Sequence, residues 1–211
     1  MAGQRQRQSR LQGLLTDLGR KPAGVRPPAP RLDNMPAEAA ERVLELFRAL
    51  GGTAESMVVF RPGVWDIVLA DGSLVELDEE QHFNRYRRMS LEPAWAESLP
   101  WTDDYRRYCD EHEMASLRKA SRGGYWASPS TERMFGPADP PGTFGPSGSP
   151  RWKQRALYDA MRDALAAAGA VRLSRVAVWD ELGGTTLARV LDDRAEADHE
   201  ALAELVALRS T

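Results

Sequence analysis

The chain has one cysteine, Cys109, so no internal disulfide can form. A single thiol in 211 residues is the usage of a reducing compartment, and a cytoplasmic protein is expected. No run approaches the roughly 18 apolar residues of a membrane span, and no apolar signal-peptide core stands near the start. The expectation is a soluble protein with no membrane partner. Histidine is scarce too. Besides His112, three residues after Cys109, there are only His82 and His199, too few to complete a structural zinc site. The glycine-containing runs after Trp179, WDELGG and GGTTLARV, lack the Gly-Lys-Ser/Thr ending of a phosphate loop. Net charge is small, −3, but uneven: residues 1–31 carry about +6 and the rest about −9. An acidic body argues against a sequence-tolerant DNA clamp, which needs a basic face to neutralise phosphates.

What is present suits one domain with elaborations, long enough to bury a core without staples. Residues 1–33 read as a basic, Pro-rich arm. QRQRQSR is followed by Leu11, Leu14, Leu15 and Leu18 at helical spacing, then by PAGVRPPAPR, whose prolines oppose regular structure. The expected state is a tail with one transient helix, or an arm that touches phosphates or a partner. Residues 34–211 form the expected folded domain. Within it, 36–50 predicts a helix with Ala40, Val43, Leu44, Phe47 and Leu50 on one stripe, stopped by Gly51-Gly52. MVVF at 57–60 is a short strand candidate. WDIVLA and SLVEL predict two strands joined at Asp71-Gly72, a strong hairpin signal.

Residues 83–150 change character and read as a mostly helical and loop insertion. They hold four of the five Tyr and three of the six Trp, with helical segments at 92–98 and 103–121 and a Gly/Pro loop at 136–150. The aromatics are expected to form a small core of their own rather than a base-stacking platform. Residues 151–168 predict a second helix, with Trp152, Leu157, Met161, Leu165 and Ala168 on its apolar side and Gly169 as terminator. A strand or two follow at 170–179, and a helix near 194–208. That order of elements predicts an α/β sandwich with a mixed sheet.

The candidate site lies in residues 64–82, VWDIVLADGSLVELDEEQH. Glu76 and Asp78 are two apart on one strand, so they share a face. The turn at 71–72 brings Asp66 within cross-strand reach of them. Three crowded carboxylates repel unless a cation intervenes, and oxygen-only donors suit Mg2+ or Mn2+ better than Zn2+. Val75 and Leu77 take the opposite face, while Leu74 shares the face of Glu76. A metal site and an acidic, solvated edge strand both remain open on these residues. His82, just past the strand, could serve as a general base, contact a phosphate or cap the end.

At Asp66, Glu76, Asp78 and His82 the sequence resembles the PD-(D/E)XK nuclease-like superfamily, most closely its very-short-patch repair endonuclease-related branch, which runs Asp, about ten residues, then Glu-x-Asp-x-x-x-His. Glu79 stands where the branch has a small residue. A second block of the branch, a helix then a strand with an Arg, is matched by Asp159, Arg162, Leu165, Gly169 and Arg172 in YDAMRDALAAAGAVRL, about 75 residues later. The resemblance implies a restriction-endonuclease-like fold. It implies that Asp66 and Glu76 hold a metal, with Asp78 as ligand or base where the superfamily carries Lys, and that a phosphodiester is hydrolysed. The missing cation would then come from the later helix entry, where Lys153, Gln154 or Arg155 could reach the site. The expected function is metal-dependent DNA cleavage in repair or defence. DNA is a more natural partner than RNA, and a protein partner or homodimer is compatible. The alternative is an inactive module on the same fold that binds nucleic acid or protein.

Overall fold

A computed structural model describes residues 2–53, 59–120 and 126–211. In chain order its helices and strands are α1 (Ala2–Asp17), α2 (Ala37–Ala49), β1 (Ile67–Val68), β2 (Leu74–Asp78), α3 (Arg85–Ser90), α4 (Thr102–Ala120), α5 (Pro129–Phe135), α6 (Pro150–Ala167), β3 (Leu173–Ala177), β4 (Glu181–Leu182), β5 (Thr185–Thr186), α7 (Leu187–Leu191) and α8 (His199–Leu208). Two compact units result. The first comprises Met1–Ala29, Gly63–Glu79 and Val171–Thr211, the second Pro30–Pro62 and Glu80–Ala170.

The first unit is α/β with a small mixed sheet in the order β1-β2-β3. β1 and β2 are antiparallel, as a tight turn requires, and β2 and β3 are parallel. A parallel pair needs a long connection, and here that connection carries most of the second unit. Every residue of β2 and β3 is buried, so the solvated acidic edge strand does not occur. α1 packs on α7, and α8 on β3. β4 and β5 form a separate two-stranded ladder.

The segment expected as an arm differs from that expectation. α1 buries Leu11, Leu14 and Leu15 completely or nearly so, because the three leucines make one apolar face that the α/β unit covers. Two of its three arginines pair with carboxylates. Arg7 pairs with Asp192 at 2.7 Å and Glu79 at 3.6 Å, and Arg10 with Asp193 at 2.7 Å. The Pro-rich linker is used as well. The Lys21 carbonyl accepts from Ala70 N, and Ala23 N donates to the Val68 carbonyl, each at 2.8 Å. Pro22, which has no N–H to offer, sits between them opposite Leu69, the edge position where proline costs a sheet nothing.

The second unit is helical. α6 lies at its centre, packed by α2, α3 and α5, and is buried nearly all round. The two predicted strong helices are therefore present as α2 and α6. In α2 the buried stripe is Ala39, Val43, Leu46 and Phe47, rotated from the predicted one, with Ala40 and Leu44 half-buried. α2 belongs to this unit together with residues 80–170, because it packs on α6. The aromatics pack on one another, with Phe83 5.2 Å from Tyr105 and Trp126 5.3 Å from Trp152 between ring centroids. Arg87 and Asp163 form a fully buried ion pair at 2.6 Å. Of the predicted strand at 57–60, Met57 and Val58 lie outside the described residues. Val59 and Phe60 are not in a strand, and the Phe60 ring packs 5.1 Å from that of Phe47.

Candidate metal centre and a histidine–aspartate pair

In the first unit the hairpin turn fixes the acidic residues. Gly72 takes φ +81°, a left-handed value glycine adopts without a Cβ clash. Gly72 N donates to the Leu69 carbonyl and Leu69 N to the Ser73 carbonyl, each at 2.9 Å. Asp71 accepts from Ser73 N at 3.0 Å and from the Ser73 hydroxyl at 2.6 Å. These bonds hold the Asp71 carboxyl below the usual carboxylate range. The resulting register pairs Val68 with Leu74 and Ile67 with Val75, so Asp66 falls opposite Glu76.

There the backbone ladder stops and side chains take over. Asp66 N donates to Glu76 Oε1 at 3.0 Å, and Leu77 N donates to Asp66 Oδ2 at 3.1 Å. The two carboxylates satisfy backbone groups at the ladder's end. Glu76 is buried and Asp66 half-buried.

Asp78 shares the face of Glu76 and is 1 % exposed. Its partner is Arg175 of β3, which stands opposite Glu76 in the parallel register. Arg175 Nη1 donates to Asp78 Oδ2 at 2.5 Å, and both side chains are buried. A bond with both partners charged is short and strong. Two such pairs brace this unit, since Arg209 also holds Asp180 at 2.7 Å, while Asp180 Oδ2 accepts from Ala177 N at the end of β3. Arg172, the sequence match for the strand arginine, instead precedes β3 and donates to the Asp71 carbonyl. The strand begins one residue later, at Leu173, so Arg175 is the arginine inside it.

In the second unit His82 closes a short 3-10 turn, Glu80–His82. Its Nδ1 lies 2.8 Å from Asp159 Oδ2 on α6. A carboxylate at Nδ1 makes that nitrogen the N–H and fixes the tautomer and orientation of the ring. The turn is held by Asn84 Nδ2, which donates to the Gln81 carbonyl at 3.1 Å, and by Arg155 Nη1, which donates to the same carbonyl at 3.0 Å. Arg155 and Asp159 are four apart on α6 and so share a face.

Lys153 lies two residues before Arg155, roughly 200° round the helix. Its Nζ faces the rings of Tyr86 and Phe135. Gln154 Nε2 is 3.2 Å from Met134 Sδ. Of the predicted helix-entry residues, Arg155 therefore meets the His82 turn, while Lys153 and Gln154 face α5. In the sequence Asp159 stands out only as a motif position. Its place four residues after Arg155 was the signal that it would share a face with a helix-entry cation. The signal for Arg175 was an arginine inside the apolar run LSRVAV.

The hairpin thus offers adjacent oxygen donors, and the second unit offers an oriented imidazole. No curated protein and no solved structure matches the chain. The model of DUF7255, a family of unknown function, matches residues 45–193, well over half of the sequence, and the protein belongs to that family.

Proposed function

We propose that the protein is a metal-dependent, endonuclease-like protein acting on DNA phosphodiester bonds, on a restriction-endonuclease-like sandwich. The observation that carries this reading is the placement of Asp66 opposite Glu76 at the end of the β1–β2 hairpin, where each carboxylate accepts a backbone N–H. Oxygen-only donors suit Mg2+ or Mn2+. Asp66, Glu76 and Asp78 are the donors in this reading, and the Asp78 carboxylate also accepts from the Arg175 guanidinium. A bound ion would supply Lewis-acid stabilisation of charge developing on the phosphoryl group. Arg175 supplies a cation on β2's acidic face, where no Lys follows Glu76 by two residues. His82, oriented by Asp159, is suited to proton transfer.

The second reading is an inactive module on the same fold that binds nucleic acid, a protein partner or a second copy. It is favoured by the Asp78–Arg175 pair and by the orientation of Lys153 and Gln154 toward α5. The test is cleavage of plasmid, single-stranded and duplex DNA, and RNA, in Mg2+ and in Mn2+. Glu76→Ala should abolish metal-dependent cutting, and His82→Asn should slow it by about 10²–10⁴-fold. No cutting by the wild type across that panel removes the enzyme reading. Nucleic-acid binding unaffected by metal and by Glu76→Ala establishes the second.

A further inference from the structure

The chain has only three lysines, Lys21, Lys119 and Lys153, and Lys153 is unlike an ordinary one. It sits near the start of α6 and is 8 % exposed. Its Nζ lies 5.6 Å from the centre of the Tyr86 ring and 5.9 Å from that of Phe135. On a further side is Gly51, just after α2, where a Cβ would come within 3.5 Å of Nζ. Among the described residues no oxygen forms a hydrogen bond or ion pair with this amine.

A buried ammonium normally keeps acceptors for its three N–H bonds. Ring faces at nearly 6 Å are weak substitutes. The arrangement therefore stabilises the ammonium less than water does. Burial pushes Lys153 below the ordinary lysine range, and the Asp139 carboxylate only partly opposes this. A lysine so desolvated is the form proteins use as a carbonyl-directed nucleophile.

We propose that Lys153 is a reactive amine site in the second unit that condenses with a small aldehyde beside Tyr86, Phe135 and Gly51. The Nζ lone pair attacks the carbonyl carbon, a C–N bond forms, and the carbonyl electron pair passes to oxygen. The oxygen takes up the two protons that the nitrogen gives up, directly or through solvent, the C–O bond breaks as water leaves, and the imine remains. None of these residues lies on the β1–β2 hairpin, so loss of metal-dependent cutting in Glu76→Ala leaves the amine's reactivity unchanged.

The test uses the intact protein, formaldehyde and cyanoborohydride, which traps each imine as a methylamine. Mass spectrometry of peptides then follows the three lysines separately. At pH 7 Lys153 should be methylated several-fold faster than the exposed Lys21. Roughly tenfold more free amine is expected for each pH unit by which the Lys153 midpoint lies below the ordinary one. Lys153→Arg should remove that fast phase and leave the slower lysines unchanged. Modification of Lys153 no faster than that of Lys21, or only after denaturation, overturns the proposal.

Discussion

Replacing Arg175 with methionine should destabilise the first unit by about 3–5 kcal/mol, the usual cost of breaking a buried ion pair on one side. The Arg175 and Asp78 side chains are 0 % and 2 % exposed and 2.5 Å apart. Methionine fills much of the arginine stem's volume, so lost packing is the smaller part. The main cost is a carboxylate left in a dry strand without its guanidinium. Against a typical domain stability of about 5–15 kcal/mol this is large. With about 2–4 °C per kcal/mol for a chain of this size, the unfolding midpoint should fall by on the order of 10 °C. Calorimetry and urea titration, followed by the fluorescence of the buried Trp65, give the measurement. The double variant Arg175→Met/Asp78→Asn should cost less than the sum of the singles by about 0.5–3 kcal/mol. Additive singles, or an Arg175→Met cost below about 1 kcal/mol, would refute the argument that these charges depend on each other in a buried setting.

Deleting residues 1–17 should unfold the first unit, and Leu15→Ala alone should cost about 2–5 kcal/mol, because Leu15 is fully buried; an unchanged thermal midpoint would restore the free-arm reading. Asp71 is held below its ordinary value of 3.8 by its Ser73 hydrogen bonds, so its contribution is full above that value and disappears as pH falls through the depressed one. Wild type and Asp71→Ala should therefore differ in stability at pH 7 and converge in strong acid, and urea titrations in which the gap widens on acidification would contradict this. Burial pushes the Cys109 thiol up to about 12, so a disulfide reagent at pH 8 should modify it only on unfolding; rapid labelling of the native protein would show the site to be open.

Local features of this chain were legible because their causes are local. Asp71-Gly72 demands a turn whatever surrounds it, and that turn sets the register that puts Asp66 beside Glu76. The apolar spacing in 36–50 and 151–168 makes helices for the same reason. The α/β class follows from the order of these elements. What the sequence left open was how far each element would be covered. The period of Leu11, Leu14 and Leu15 predicts a helix, but only the α/β unit that buries them turns a tail into a structural part. LVELD reads equally well as a solvated edge or a buried strand, and β3 pairing alongside it decided for burial. The partners Arg175 and Asp78 lie 97 residues apart, and His82 and Asp159 77 apart. Neither pair follows from spacing, because a charge chooses its partner by distance in space and by the desolvation the fold imposes. Tertiary packing likewise gave the cation beside Asp78 to β3 and turned Lys153 toward aromatic rings. By itself, then, the sequence determined the hairpin, its acidic register and the helices, whose causes are short-range. Only the tertiary structure decided which charges are buried together, because burial depends on elements that meet across the whole chain.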